Sequence, residues 1–487
     1  IPTKLLREDF RLLGTFLGRV IKDQEGLAFF KIVEKFRVLS KNTLSDKNKR
    51  KVLSRISKEV KKLTPENTFK LSRAFSHILN LLNLVESLDA SRKLNEYENP
   101  YFKSKNQNLF IEDIIEGLFK NKKISDKNIY EQAKKLDIGI VLTAHPTEVK
   151  RRTLIQKYAN LIYIMEQRHL YKKYPSKIIE LDRQLYSEIA IIWKTDELKR
   201  TKPSPLDEAR WGLAVIEDSL WDTIPKVYKR LNDIFRKNLK KDLPRDFNPI
   251  QFGSWMGGDR DGNPNVTAEV TKKVILFSRW QAAKLYEKEL TKLIQDLSME
   301  ECSAKIKKAT GNSFEPYRVY LRPIRDKVRL THQLIENHLN NNSNLNEKKL
   351  IQNKHEITIP LREVRNSLKL NKGDHIANAD LLDLMRRVRC FGINLARLDI
   401  RQEADRHEKL LNEIFKKKSK IKYSNLSEID KIKLLNKSIK DKKFFVDKIK
   451  IQNKENREVW NTFKLISSTP NAVSYTHLTL PTKWTVL

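Results

Sequence analysis

The sequence predicts a mainly α-helical protein that contains part of an α/β barrel of the TIM type, with long helices around a few parallel strands. Apolar residues recur at helical spacing along most of the chain, which is typical of amphipathic helices. Three short runs instead favour strands, namely 138–142, which is rich in β-branched residues, 250–256 and 393–403. Each run ends in polar residues and precedes a helical pattern, as in a (β/α) barrel, and these strands alone leave such a barrel incomplete.

The length of the chain exceeds what a single hydrophobic core usually serves. Its 487 residues predict either two or three domains or one large barrel with insertions. We place an N-terminal helical region at residues 1–130 and the first part of the barrel, with helical insertions, at 131–470. Residues 471–487 form a Thr-rich, nearly uncharged tail, and we expect Ser474–Leu487 not to be native sequence.

The net charge of +36 first suggests a nucleic-acid-binding protein, but its distribution argues against one. The lysines are spread over most helices and thicken mainly between Phe415 and Arg457, with few aromatic residues among them. We therefore expect no nucleic-acid partner, and no membrane either, since no apolar run is long enough to cross a bilayer. Two cysteines without metal-ligand spacing, and no signal peptide, predict a cytoplasmic protein without a disulfide framework.

Long helices are predicted in the N-terminal third and again after residue 170. One apolar face at helical spacing is formed by Phe10, Leu12, Leu13, Phe16, Leu17, Val20 and Ile21. A helix is predicted from about Ile178 to Arg200, with an apolar side made of Leu181, Leu185, Ile189, Ile192 and Trp193. Pro203 and Pro205 end it, since proline cannot continue a helix. Further helices are predicted from Ala268 onward and over Asp380–Arg389.

The first run, Ile138–Leu142, predicts a buried strand that stops at Pro146, which has no amide hydrogen for a strand ladder. Because side chains alternate along a strand, His145 shares a face with Gly139, Val141 and Thr143 and lies at the carboxyl end of the run. Arg151 and Arg152 follow within the first turns of the next predicted helix. An imidazole beside a helix start and two guanidiniums suits anion binding and proton transfer. A lone histidine at a strand end is nevertheless more often structural than catalytic.

The second run, residues 250–256, predicts a strand followed by a tight polar loop. Gly257 and Gly258 permit backbone angles that other residues resist. The acids of this loop, Asp259 among them, either cap neighbouring helices or contribute to a site. The loop lacks the regular acidic spacing and the distal Glu of a calcium site. Trp255 supplies an apolar wall beside these polar groups.

The third run predicts a strand over Ile393–Glu403. Alternation along it predicts one face that is formed by Ile393, Leu395, Arg397, Asp399 and Arg401. The other face, with Leu398 and Ile400, is predicted to lie against helices. Two arginines and an aspartate on one face are costly to bury without partners. Either Asp399 neutralises the arginines in a structural network, or one arginine faces a ligand anion, which the guanidinium fork suits.

Three motifs carry a resemblance to a known family, namely Thr143–Glu148 with Arg151–Thr153, Ser254–Pro264, and Phe391–Glu403. In this order they resemble the motifs of phosphoenolpyruvate carboxylase, and the similarity extends to about Pro470. The resemblance implies carboxylation of phosphoenolpyruvate by bicarbonate to oxaloacetate and phosphate. It also implies Mg²⁺ or Mn²⁺ as the cofactor and a homotetramer as the assembly.

The same resemblance implies roles for individual residues. His145 corresponds to the family's catalytic histidine, which handles protons and the carboxyphosphate anion. Arg397 corresponds to the arginine that grips the substrate phosphate, and Trp255 to one wall of the apolar pocket for CO₂. Supporting roles are assigned to Arg151, Arg152 and Asp259.

Members of the resembled family are considerably longer than this chain. The resemblance places the metal-binding carboxylates, a second histidine, a catalytic lysine and further phosphate-binding arginines in a second half that has no counterpart here. We therefore expect the metal ligands outside this chain and no carboxylase activity from the chain alone. The alternatives are a non-catalytic protein that binds a phosphorylated ligand and a basic nucleic-acid-binding protein.

Overall fold

The computed structural model describes residues 4–41, 49–97, 111–121, 123–143, 152–196, 203–244, 246–341, 343–441 and 449–469, without the side chains of residues 49, 51, 94–97, 112 and 152. In chain order the main elements are α1 (Lys4–Lys41), α2 (Lys49–Val60), α3 (Pro65–Tyr97), α4 (Ile111–Asn121), α5 (Asp126–Lys134), β1 (Ile138–Leu142), α6 (Arg152–Leu170), α7 (Pro175–Lys194), α8 (Pro205–Val215), α9 (Trp221–Leu239), β2 (Ile250–Ser254), α10 (Ala268–Asp296), α11 (Ala304–Thr310), α12 (Pro316–Asn341), α13 (His355–Leu370), α14 (Asp374–Ala377), α15 (Asp380–Phe391), β3 (Arg397–Leu398), α16 (Ala404–Ser419), α17 (Glu428–Lys440) and α18 (Lys454–Ser468). The protein is thus mainly helical, as predicted. None of the helices in these ranges is both long enough and apolar enough to span a membrane.

The chain divides into two compact units. Unit 1 comprises Ile1–Gln107 and Lys150–Thr201, and unit 2 comprises Asn108–Val149 and Lys202–Leu487. This division differs from the boundary predicted near residue 130, because α6 and α7 pack with the N-terminal helices α1 and α3.

Unit 1 is a helical body whose core lies between α1, α3, α6 and α7. Of the apolar face predicted along α1, the buried members are Leu13, Phe16, Leu17, Val20 and Ile21, whereas Phe10 and Leu12 are only partly buried. The helix predicted after residue 178 is α7, and its predicted apolar side is confirmed residue by residue. It begins at Pro175 and ends at Lys194, six residues before the predicted end at Arg200.

Unit 2 contains a sheet of three parallel strands in the order β1-β2-β3. The helices α9, α10, α12, α13 and α15 supply its largest apolar core. Phe252 of β2 is buried in this core, and its ring stacks on Phe391 with ring centres 5.5 Å apart. Phe391 in turn stacks on Trp221 at 5.3 Å, so one face of β2 is closed by aromatic rings.

The prediction that the first strand is buried is wrong. In β1 the exposed fractions of Ile138, Ile140 and Val141 are 44%, 42% and 43%. The physical reason is that β1 contacts mainly β2, and no helix in the described ranges packs extensively against its faces. Apolar composition alone did not determine whether anything covers the strand.

The predicted third strand is much shorter than expected. Leu395 has a φ of 56°, which is outside the strand region, so pairing with β2 begins only at Arg397. Ile393 and Leu395 are buried in the core and do not share the face of Arg397, which corrects the predicted alternation. The pairing resumes as an isolated bridge between Asp259 and Arg401.

Candidate active site

Three of the predicted site residues lie wholly or partly outside the described residues. His145 and Arg151 fall between residues 143 and 152, and Arg152 begins α6 without a described side chain. Their roles, and the expected convergence of His145 with Arg397, stay predictions. The remaining site residues belong to unit 2 and can be placed.

The strand register places Arg397 on the face of the sheet opposite the aromatic core. Val141 pairs with Gly253, and Gly253 pairs with Arg397. Residues that lie side by side in a parallel sheet point to the same face. Asp399 lies on this face too, because a Cβ built on Gly253 would be 3.6 Å from its Oδ2 atom. Phe252 points to the other face, so the charged groups are separated from the core of unit 2.

The two arginines of the third motif have different environments. Arg397 is exposed, and its guanidinium makes no hydrogen bond or ion pair with any residue in the described ranges. The side chain of Arg401 is 14% exposed, and its Nη1 lies 3.3 Å from Oδ2 of Asp259. Asp259 is therefore a counterion of Arg401, a pairing that the sequence analysis did not consider.

Trp255 lies at the carboxyl end of β2, beside the Arg401 guanidinium. Its indole is 37% exposed, and Cζ of Arg401 lies 4.4 Å from the ring centre. Its backbone N–H donates to the carbonyl of Leu142 at 3.1 Å, which extends the β1–β2 ladder by one residue. The result is an apolar ring surface flanked by a fixed cation.

The two glycines after Trp255 are required for different reasons. Gly257 has a φ of 80°, as the sequence analysis expected of a glycine. At Gly258 the requirement is space, because a Cβ there would overlap the carbonyl oxygen of Asp399 and lie 3.1 Å from Cγ of Leu398. This close approach lets the loop pair with the chain that follows β3.

Arg260 is a structural residue that sequence reasoning missed. Its guanidinium donates from Nη1 to the carbonyl of Gly258 at 2.8 Å and from Nη2 to Oγ1 of Thr271 at 2.7 Å. The hydroxyl of Thr271 donates to the carbonyl of Gly257 at 2.8 Å, which ties the loop to α10. Burial lowers the pKa of Arg260 to about 10. No sequence signal indicates this, since an arginine between two aspartates is typical of an exposed loop.

The placed groups suit an anionic ligand better than a metal ion. Arg397 offers a guanidinium fork, which matches phosphate geometry, and Trp255 offers an adjacent apolar surface. Over the described ranges, no three side chains of His, Cys, Asp or Glu lie close enough together to hold a metal ion.

Comparison with known proteins identifies the family. The family model described as phosphoenolpyruvate carboxylase matches residues 6–479. A phosphoenolpyruvate carboxylase of Acinetobacter baumannii is 40% identical over 414 residues, which are 84% of this chain and 45% of that protein. Those of Haemophilus influenzae and Escherichia coli O81 are 35% and 36% identical, each over 96% of this chain and 52% of the relative.

The chain spans about half the length of the curated relatives it matches. The match ends at residue 479, inside the predicted non-native tail, which lies outside the described residues. The comparisons favour the predicted carboxylase family over the nucleic-acid-binding alternative. The chain therefore belongs to the phosphoenolpyruvate carboxylase family.

Proposed function

We propose that this chain supplies one part of an active site that carboxylates phosphoenolpyruvate with bicarbonate and yields oxaloacetate and phosphate. Family membership supports the reaction. The observation that carries the proposal for this chain is the exposed guanidinium of Arg397, on the site face of the sheet and without an ion pair among the described residues. A phosphate group of the substrate would supply the missing counter-charge.

The proposed roles follow the charges that develop during the reaction. Bicarbonate attacks phosphorus, and the bond between phosphorus and the enol oxygen breaks, which leaves carboxyphosphate and an enolate. Carboxyphosphate then releases CO₂ and phosphate, and the enolate carbon bonds to CO₂. Arg397 faces the phosphoryl oxygens, where a fixed cation favours the developing charge.

The other site residues have roles on either side of this phosphoryl group. Trp255 forms an apolar wall that keeps water from the enolate and from CO₂. His145 handles protons and the carboxyphosphate anion, while Arg151, Arg152 and Asp259 support the site. Asp259 would support the site through its ion pair with Arg401, because this contact holds a neighbouring cation in place.

The proposal extends to parts of the protein beyond this chain. The parallel strands β1, β2 and β3 would be the first part of a TIM-type barrel, with further strands added at the two ends of this sheet, β1 and β3. The family resemblance leads us to place the Mg²⁺ or Mn²⁺ ligands in polypeptide outside this chain, and we route no step through the metal. A homotetramer in the cytoplasm is the assembly and location we propose for the whole enzyme.

Calorimetric titration of the chain with phosphoenolpyruvate tests the role of Arg397. The Arg397→Met variant should bind about tenfold more weakly or worse, because it loses charge-assisted hydrogen bonds to phosphate. Arg322→Met is a matched control, since Arg322 is an exposed arginine of α12, outside the sheet. Equal affinity of the Arg397 variant and the unchanged chain would contradict the proposal.

A second measurement addresses turnover by the chain alone. We expect no oxaloacetate from the purified chain supplied with phosphoenolpyruvate, bicarbonate and Mg²⁺, because the proposed site includes groups outside it. Oxaloacetate formation above the background of a protein-free reaction would show that this expectation is wrong.

A further inference from the structure

Arg401 and Asp259 are joined by both their backbones and their side chains. The N–H of Arg401 donates to the carbonyl of Gly258, and the N–H of Arg260 donates to the carbonyl of Arg401, each at 3.1 Å. The side chains then meet at 3.3 Å, and they are 14% and 26% exposed. The bridge holds the two main chains side by side, which keeps the two side chains within reach of each other.

Both carboxylate oxygens of Asp259 have a partner at this position. Its Oδ2 contacts Arg401, and its Oδ1 accepts the N–H of Asp261 at 3.0 Å. The carboxylate is thereby oriented from two sides, by a cation and by its own loop. Neutralisation by Asp259 weakens the attraction of Arg401 for a ligand anion.

The Arg401 guanidinium also contacts the indole of Trp255. Its Cζ lies 4.4 Å from the ring centre, within the range of a cation–π contact. The carbonyl of Trp255 accepts the N–H groups of Gly258 at 3.0 Å and Asp259 at 2.9 Å, so its backbone is held by the same loop. The ring itself contacts the Arg401 guanidinium.

Arg397 differs from Arg401 in each of these respects. It is exposed, and among the described residues its guanidinium has no counterion and no aromatic ring beneath it. The sequence left open which of the two arginines faces a ligand anion. The structure separates them into a compensated cation that contacts a ring and a cation that has no counterion within the described ranges.

We propose that Arg401 is a positioning residue, which holds the ring of Trp255 at the site face while Asp259 keeps its charge from competing with Arg397 for the substrate anion. This inference rests on the proposed function, because the anion is the phosphate of phosphoenolpyruvate. It assigns Arg401 to the apolar wall and Arg397 to the phosphate. It also explains why an acidic residue lies in a site for an anionic substrate, since Asp259 is balanced by Arg401.

Fluorine NMR of the chain labelled with 5-fluorotryptophan tests the positioning role directly. Trp255→Phe identifies the Trp255 resonance by its disappearance. In Arg401→Met, which keeps the aliphatic stem and removes the charge, this resonance should shift and broaden while the other tryptophan resonances stay in place. Their constancy shows that the variant is folded, and an unmoved Trp255 resonance in a folded variant would overturn the proposal.

Titration with phosphoenolpyruvate separates positioning from direct binding. Arg401→Met leaves the carboxylate of Asp259 without its counterion, so affinity should fall several-fold through repulsion. The double variant Arg401→Met/Asp259→Asn removes both charges and should regain affinity to within about twofold, a small change on the scale of one hydrogen bond. Its Trp255 resonance should remain displaced. If the double variant binds as weakly as Arg401→Met, Arg401 contacts the anion itself and the proposal is wrong.

The same set of variants keeps the two proposals distinguishable. If phosphoenolpyruvate does not bind, or if Arg397→Met binds it unchanged, the proposed function fails and the Trp255 resonance alone decides the positioning role. If Arg397→Met abolishes binding and Arg401→Met leaves the resonance unmoved, the proposed function stands and the positioning role is overturned.

Discussion

Replacing Gly258 with alanine is the sharpest single test of how the loop meets the strand. The added Cβ would overlap the carbonyl oxygen of Asp399 and lie 3.0 Å from its carbonyl carbon. Both are backbone atoms, so no side chain can rotate away to make room. The loop and the chain after β3 must separate, which breaks the bridge between Asp259 and Arg401.

The expected cost follows from the contacts that are lost. Two bridge hydrogen bonds contribute about 1 kcal/mol each. Overpacking a closely fitted site costs about 1–3 kcal/mol more. The Gly258→Ala variant should therefore lose about 3–5 kcal/mol in free energy of unfolding, a large part of the stability of a typical domain.

Urea unfolding followed by circular dichroism measures this loss, with two glycine controls. Gly139→Ala in β1 meets no atom within 4 Å and should change stability by about 1 kcal/mol or less. Gly262→Ala also meets no atom, but its φ of 64° should cost about 1 kcal/mol. A Gly258→Ala variant as stable as Gly139→Ala would refute the close approach that the structure places at this residue.

Three further predictions concern other buried or paired groups. Thr271→Val should cost about 1.5–3 kcal/mol in urea unfolding, because it removes an acceptor from a buried guanidinium, and an unchanged midpoint would contradict that contact. Cys390 should be alkylated at pH 8 about a thousandfold more slowly than an ordinary thiol, since burial raises its pKa to about 12, and mass spectrometry with and without urea measures the rate. The hydrogen bonds of Lys35 and Lys62 lower the pKa of Glu59 to about 2, so its stabilising effect should be complete above pH 4.5 and disappear as the pH falls toward 2. Glu59→Gln should flatten that part of the acid-unfolding curve.

Helices in which apolar residues recur with a clear period could be predicted from the sequence. The side of each helix that is buried could be predicted from the same period. The apolar side of α7 agrees at every predicted position, because the spacing of Leu181, Leu185 and Ile189 is a property of the helix itself. Its end at Lys194 could not be placed as well, since helix termini depend on local capping as much as on the period.

The third strand shows what a local pattern omits. The alternation over Ile393–Glu403 is that of a strand, yet Leu395 adopts a φ of 56° and lies in the core. The sequence does not indicate a positive φ at this position, because the residue is neither glycine nor asparagine. Strand length in this region is set by where β2 offers a partner, which is a property of the fold.

The site motifs identified the charged residues but not their pairing. Arg397 and Arg401 lie on the same predicted face with Asp399 between them, and the sequence left open whether Asp399 neutralises them or one arginine faces a ligand anion. The structure places Asp259, from a different motif, against Arg401. Contacts between residues so far apart in sequence depend on the register of β2 and β3, and that register cannot be read from either motif alone.

The exposed strand β1 and the covered strand β2 allow a comparison of how much stability is lost when paired residues of the two strands are substituted. Ile140 and Phe252 are register partners on the same face of the sheet, yet their exposed fractions are 42% and 2%. Phe252→Ala should cost about 3–5 kcal/mol, since it empties a packed aromatic site. Ile140→Thr keeps the β-branched shape and removes apolar surface that is only partly buried, so it should cost about 1 kcal/mol in urea unfolding. The result that would contradict this is an equal loss of free energy of unfolding in the two variants at every protein concentration. In that case β1 is covered in solution, and its exposed position in unit 2 is wrong.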